Sequence, residues 1–217
     1  MSKELIQRLA VLDTPAVSDA LDKLGIVGQC AGIMPLDRSF NLAGKAFCIK
    51  YVPANELGGT VGDFVDDLGP DDVAVIDNAG RLDATVWGDL MTTVAKKNGV
   101  AGTVIDGVCR DLDRALEFDH PLFTRGNWMR TGKDRVQLEA IGVPVIIGGV
   151  TVRPGDLLRG DINGVVVVPA ARAEEVIEVA ERIQLTEDTI RAEIQQGAAL
   201  RQARERAGYH RLQTPVA

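Results

Sequence analysis

Residues 87–111, WGDLMTTVAKKNGVAGTVIDGVCRD, hold a helix and a strand in direct succession. Gly88 opens a turn, nothing from Asp89 to Asn98 interrupts a helix, and Gly99 supplies the residue that ends one. Ala101–Asp106 then forms a short apolar run with β-branched residues, the pattern of a strand buried on both faces. A helix leading straight into such a strand is the unit of an α/β layer fold. The Asp106-Gly107 pair reads as a turn ending that strand, beyond which Arg110 and Asp111 stand side by side.

Working outward, the N-terminal side carries leucine and isoleucine at helical spacing over Ser2–Leu12. Thr14 as N-cap with Pro15 at the first helical position starts a second helix that Gly25 can end. Gly44–Val52 alternates as a strand, Ala54–Gly69 is mixed with room for a short helix, and Val73–Asp77 is a short buried strand. Beyond Asp111 a short helix is expected to Phe118. Four apolar runs between Val143 and Pro169 are separated by Gly148-Gly149, Arg153–Asp156 and Asp161–Gly164, as in a series of strands and hairpins. From Ala170 to about Ala207 there is no proline, so a long polar helix is expected, with Gly197 as its candidate break. This helix has too few apolar positions to bury both faces. It is expected along the outside of its own domain or against another subunit. Interleaved helices and strands followed by consecutive strands make the fold class α/β.

Composition narrows the function. Hydrophobic residues make up 46% of the chain but aromatic residues only 4%, so Val, Ile, Leu and Ala must build the core. The net charge, 24 − 31 = −7, argues against nucleic acid as a partner, since a sequence-independent binder needs a basic face. The run Arg201–Arg206 reads as a solvated helix end with cations where the helix dipole favours them. Cys30, Cys48 and Cys109 form no CxxC pair and point to a reducing compartment. Cys109 has no histidine near it in sequence and reads as a packing residue. Met1-Ser2-Lys3-Glu4 leads into a polar helix and no apolar run approaches a membrane span, so a cytoplasmic protein without membrane contact is expected. Gly44-Lys45 lacks the rest of a phosphate-binding loop, and the glycines of Gly25–Gly28 do not follow a strand. Zinc is disfavoured because His120 and His210 are the only histidines and neither is ligand-spaced; His120, before Pro121, reads as a loop residue. Asp19 and Asp106 read as turn or cap residues.

The chemistry gathers at the two ends of the opening stretch. A helix entered through Gly88 presents first-turn N–H groups of Leu90 and Met91 to an anion. Arg110 offers a planar fork for a carboxylate and a keto oxygen. Asp111 offers oxygen to a hard cation that keeps several waters, as Mg²⁺ does, with Mn²⁺ a reasonable substitute. Such a set suits a 2-oxo acid and the enolate formed from it. The side chains of Leu90 and Met91 are expected in the core.

The Asp89-x20-Arg110-Asp111 spacing, the Gly88–Met91 helix entry, the Asp106-Gly107 pair and the segment Thr14–Leu21 resemble the RraA-like superfamily, and within it the divalent-metal-dependent pyruvate aldolases acting on 4-hydroxy-4-methyl-2-oxoglutarate and 4-carboxy-4-hydroxy-2-oxoadipate. The similarity runs from about Thr14 to Val168. It implies the swivelling β/β/α fold, an αββα sandwich, over residues 1–169, with a C-terminal helical extension over 170–217 at a subunit interface of a homotrimer or homohexamer. It implies Asp111 as the metal residue, Asp89 as the acid acting on a metal-associated water, Arg110 as a binding and catalytic residue, and Gly88, Leu90 and Met91 as substrate-binding. Glu187 matches an acid that related aldolases bring from a neighbouring subunit. The implied reaction releases pyruvate from a 4-hydroxy-2-oxo acid, with oxaloacetate decarboxylation as a side activity. Non-enzymatic regulators of ribonuclease E share most of the scaffold and are the competing expectation.

Overall fold

The computed structural model describes residues 3–55, 61–209 and 214. Two short helices open the chain, α1 (Lys3–Ala10) and α2 (Thr14–Lys23). Asp13, not Thr14, caps α2, its carboxylate accepting the Ala16 amide at 2.7 Å. Thr14 already lies in the first turn, and its amide and hydroxyl both donate to Asp161, at 2.8 and 2.7 Å. Either side chain can cap a helix; the one with a buried partner elsewhere leaves the cap to its neighbour.

The remaining elements are β1 (Met34–Pro35), β2 (Leu42–Pro53), β3 (Asp72–Thr85), α3 (Asp89–Asn98), β4 (Gly102–Cys109), α4 (Leu112–Glu117), β5 (Leu122–Thr124), β6 (Gly126–Asn127), β7 (Val136–Ile141), β8 (Val145–Ile147), β9 (Val150–Val152), β10 (Leu157–Asp161), β11 (Gly164–Val168), α5 (Ala173–Gln195) and α6 (Leu200–Arg206). One sheet runs in the order β1-β5-β4-β3-β2-β10-β11, with β6 added to β4 and β7 to β2, while β8 and β9 form a separate hairpin. β2 to β5 are parallel neighbours, and β10 and β7 join β2 antiparallel. The two ends of the sheet approach each other: a Cβ on Gly164 of β11 would lie 3.2 Å from the Ile33 carbonyl beside β1. The sheet is therefore nearly closed, which leaves little free edge.

Two expectations for the strands need correction. Asp106-Gly107 is no turn, because β4 continues through it to Cys109 and every residue of the strand is buried. The glycine serves a close approach, since a Cβ at Gly107 would stand 3.0 Å from Asn78 Cβ. β3 does not stop at Asp77 either. It runs to Thr85, pairing Asp77, Arg81 and Thr85 with the consecutive residues Asp106, Gly107 and Val108, so its excess length bulges outward between those positions. Within Ala54–Gly69 the short helix is a 3₁₀ turn over Asp63–Asp67; residues 56–60, like His210, lie outside the described residues.

Apolar side chains form two clusters. The larger lies inside the sheet and under α3, the smaller between α1, α2, α5 and the β10–β11 hairpin. α5 buries Val176, Ile177, Ala180 and Ile183 against the second cluster and leaves its other face to solvent, so it lies along its own domain. Gly197, at φ 96°, ends the helical run and α6 folds back, with Arg206 donating to Glu193 of α5 at 2.6 Å. No helix among the described residues is long and apolar enough to cross a membrane.

Candidate active site

β3 and β4 end side by side, and the chain leaves each of them into a helix. Gly88 is the N-cap of α3 and has no side chain to satisfy the first-turn amides. Its backbone is extended, so its demand is for space rather than for an unusual torsion. A Cβ there would meet Asp111 Oδ2 at 2.8 Å and Arg110 Nε at 3.3 Å. The glycine thus admits both charged side chains to the mouth of the helix.

Asp111 is the N-cap of α4, yet makes no capping bond to its own helix. Its backbone is left-handed at φ 57°, a region that costs an ordinary residue roughly 1–2 kcal/mol and Asp somewhat less. The side chain reaches across to α3 instead: Oδ2 accepts the Asp89 amide at 3.1 Å and lies 3.3 Å from Arg110 Nε. Asp89 turns its own carboxylate onto the Leu90 amide at 2.8 Å. A ligand carboxylate using the Leu90 N–H must therefore displace that of Asp89. Leu90 is 77% exposed, which corrects its expected core role, whereas Met91 is partly buried.

The entry to α3 is stiffened from behind. Trp87 Nε1 donates to Thr92 Oγ1 at 2.9 Å, and Thr92 Oγ1 donates to the Gly88 carbonyl at 3.1 Å. His120 stacks on Trp87, ring centroids 5.8 Å apart, with Nε2 3.0 Å from Thr103 Oγ1. It does lie in a loop, but a buried one. Burial, with a smaller contribution from Lys96, pulls its pKa down to about 4, so the ring is neutral at physiological pH. Cys109 is buried, and desolvation pushes its thiol up to about 12, which leaves no thiolate nucleophile at neutral pH.

Arg110 separates two hollows. The first, about 160 Å³, is lined by Gly88, Asp89, Met91, Arg110, Thr131 and Lys133 among others. The second, about 220 Å³, has Asp111, Asn127 and Trp128 around the same arginine. Thr131, Gly132 and Lys133 were not expected at the site. They arrive because the segment after β6 bridges back to β3 at Thr85, and a Cβ at Gly132 would lie 2.2 Å from the Thr85 carbonyl. The Thr-Gly-Lys-Asp string signals a turn in the sequence, but only the tertiary fold shows which cleft that turn faces.

Glu187 is elsewhere within the chain, in a hollow of about 240 Å³ with Ile190, Arg191, Arg204 and Tyr209. Burial, reinforced by Asp19 and Asp13, raises its pKa. Asp106, expected at a turn, is instead buried in β4. It pairs with Arg125 Nε and accepts the Gly148 amide at 2.8 Å.

A divalent cation fits Asp111. Oδ1 has no hydrogen bond among the described residues, the side chain is 36% exposed, and Gly88 leaves the space beside it open. No three His, Cys, Asp or Glu side chains gather as a ligand cluster among the described residues, so a cation here would keep several waters, as Mg²⁺ does.

A family model described as RraA-like, Aldolase/RraA, matches residues 14–167. Protein DlpA of Legionella pneumophila is 39% identical over 93% of this chain, which spans only 33% of that longer protein. A Halalkalibacterium halodurans protein named "Putative 4-hydroxy-4-methyl-2-oxoglutarate aldolase" is 32% identical, covering 85% of this chain and 86% of its own. The crystal structure of Streptomyces coelicolor RraAS2, described as an unusual member of the RNase ES inhibitor RraA protein family, superposes with a TM-score of 0.83 at 29% identity, over 88% of this chain and 98% of that one. With the nearly closed sheet, the expected α/β fold and the long C-terminal helix, these matches establish that the chain belongs to the RraA-like family.

Proposed function

We propose that this protein is a divalent-metal-dependent pyruvate aldolase, cleaving a 4-hydroxy-2-oxo acid of the 4-hydroxy-4-methyl-2-oxoglutarate or 4-carboxy-4-hydroxy-2-oxoadipate type. The observation that carries this reading is the meeting of Arg110, Asp111 and the first amide of α3 around a glycine whose missing side chain makes room for them. The aldolase name of the 32%-identical relative supports it.

Arg110 binds the carboxylate and keto oxygen of the pyruvyl half through its planar fork. Asp89, at the helix mouth, takes the proton of the C4 hydroxyl by way of a water. As C4–O becomes a carbonyl, the C3–C4 electrons pass into the enolate of pyruvate, and a proton returned to C3 releases pyruvate. Asp111 would hold the cation, Mg²⁺ or Mn²⁺, whose Lewis acidity lowers the energy of charge on the keto oxygen. Arg110 adds a fixed positive charge beside that oxygen. Loss of CO₂ from oxaloacetate leaves the same enolate, so decarboxylation is the expected side reaction. The backbone amides of Leu90 and Met91 receive the pyruvyl carboxylate once Asp89 turns away. Glu187 would act on a neighbouring subunit of a trimer or hexamer, and the reaction is assigned to the cytoplasm.

A second reading, a non-catalytic regulator that docks onto ribonuclease E, is favoured by the likeness to the S. coelicolor protein. Pyruvate release from a panel of 4-hydroxy-2-oxo acids separates the two. Turnover is expected with Mg²⁺ and none in EDTA, and Arg110→Lys should lower kcat about a hundredfold as well as raise KM. Full turnover in EDTA would remove the metal. No turnover with any acid would leave the docking reading.

A further inference from the structure

We propose that Lys133 is the specificity-determining residue of the cleft, reading a second carboxylate at the far end of a 2-oxo diacid. The assignment rests on the aldolase reading for which half of the ligand Arg110 holds.

Lys133 and Arg110 are the cations among the described residues that line the 160 Å³ hollow. Arg110 is paired with Asp111, whereas Lys133 has no carboxylate within ion-pair distance among the described residues. Two nearby arginines are committed elsewhere. Arg135 spends its guanidinium on the carbonyls of Thr131 and Lys133, both at 3.3 Å, and Arg81 pairs with Asp83 at 2.9 Å.

The loop bearing Lys133 is also built rather than loose. Thr85 N–H donates to the Arg130 carbonyl at 3.1 Å, and Arg135 and Val136 both donate to the Gly132 carbonyl at 2.9 Å. The Lys133 amide donates to Thr131 Oγ1 at 3.3 Å, and Asp134 takes a left-handed φ of 62° to complete the turn. A long flexible ammonium is thus mounted on a fixed backbone across a cleft whose other cation is assigned to the pyruvyl end. Preorganising its base lowers the ordering cost of an ion pair with an incoming anion. The hollow equals roughly five waters of liquid volume, enough for a small acid. The point charge of a lysine suits a terminal carboxylate that can approach from several directions.

The test compares a matched pair of ligands by calorimetry in Mg²⁺ at neutral pH: 2-oxoglutarate, and 2-oxopentanoate, in which a methyl group replaces the far carboxylate. Wild-type protein should bind 2-oxoglutarate about tenfold or more tightly. Lys133→Gln should erase that preference while leaving 2-oxopentanoate within about twofold, and Lys133→Arg should keep most of it. Circular dichroism confirms folding of each variant. A preference that survives in Lys133→Gln, or equal weakening of both acids, overturns the proposal, as does binding of neither acid by the wild type. Pyruvate release is scored separately. Discrimination that depends on Lys133 without any release upholds this assignment and removes the aldolase reaction.

Discussion

Strand β4 serves two aspartate–arginine pairs with opposite characters. Asp106, inside the strand, is 7% exposed at its side chain, and both oxygens are used, one by Arg125 and the other by the Gly148 amide. Asp111, just past the strand, is 36% exposed, 3.3 Å from its arginine, and keeps Oδ1 free among the described residues. The first carboxylate has filled its valences within the protein and holds segments together. The second has not, and its strained backbone is tolerated at a place where a ligand can complete it. Residue type and neighbourhood in sequence do not distinguish them; spare bonding capacity at an accessible face does.

The sharpest way to break this contrast is to neutralise each acid in turn. Asp111→Asn should lower pyruvate release about a hundredfold or more, near 3 kcal/mol of barrier, while moving the urea midpoint little. Asp106→Ala should do the reverse. Leaving Arg125 and the Gly148 amide without their acceptor should cost about 2–3 kcal/mol in urea unfolding, with turnover per folded molecule within about threefold of wild type. If Asp106→Ala proves the stronger catalytic defect, the division of labour between the pairs is wrong.

His120, which stacks on Trp87, tests whether the candidate site has a structural support of its own. The folded protein keeps the ring neutral down to about 4, while the unfolded chain protonates it near 6.5. Its contribution is complete above pH 6.5 and is lost as pH falls from 6.5 toward 4, since there the unfolded state binds the extra proton. Stability should drop by about 2 kcal/mol between pH 7 and pH 5, and His120→Phe should flatten that dependence in paired urea titrations. The smallest expected effect is that of Gly88→Ala. Its added carbon pushes on Asp111 and Arg110 and should slow turnover about tenfold with less than about 1 kcal/mol of destabilisation.

Much of the frame was legible. The helix expected over Asp89–Asn98 is α3 to the residue, because a glycine stands at each end, and the apolar runs after Val143 became β8 to β11. β3 was cut short because its outer half carries Asn78-Ala79-Gly80 and alternates irregularly between exposed and buried, as a bulged strand must. β7 escaped notice since its residues are only partly covered after Val136. The Asp106-Gly107 error has one cause: the signal for a turn is also the signal for a buried charge beside a backbone that needs room. Arg125, which explains Asp106, is 19 positions away. Within the candidate site the Arg110–Asp111 pair could be named from sequence, whereas Lys133 depended on a loop returning to Thr85, a contact no local pattern encodes. The C-terminal helix is a similar case. Its polar look concealed one apolar stripe sufficient to cover α1 and α2.

That stripe sets an order of events during synthesis. Arg8 of α1 bonds Glu181 of α5 across 173 positions, and Asp161 of the last hairpin fastens the start of α2. Helices α1 and α2 therefore leave the ribosome before α5 and wait, apolar faces uncovered, for partners made more than 150 residues later. At about 5–20 residues per second the delay is on the order of ten to thirty seconds. Over that interval the apolar faces of α1 and α2 need shelter, and a fragment lacking Ala173–Gln195 would leave them in that condition permanently.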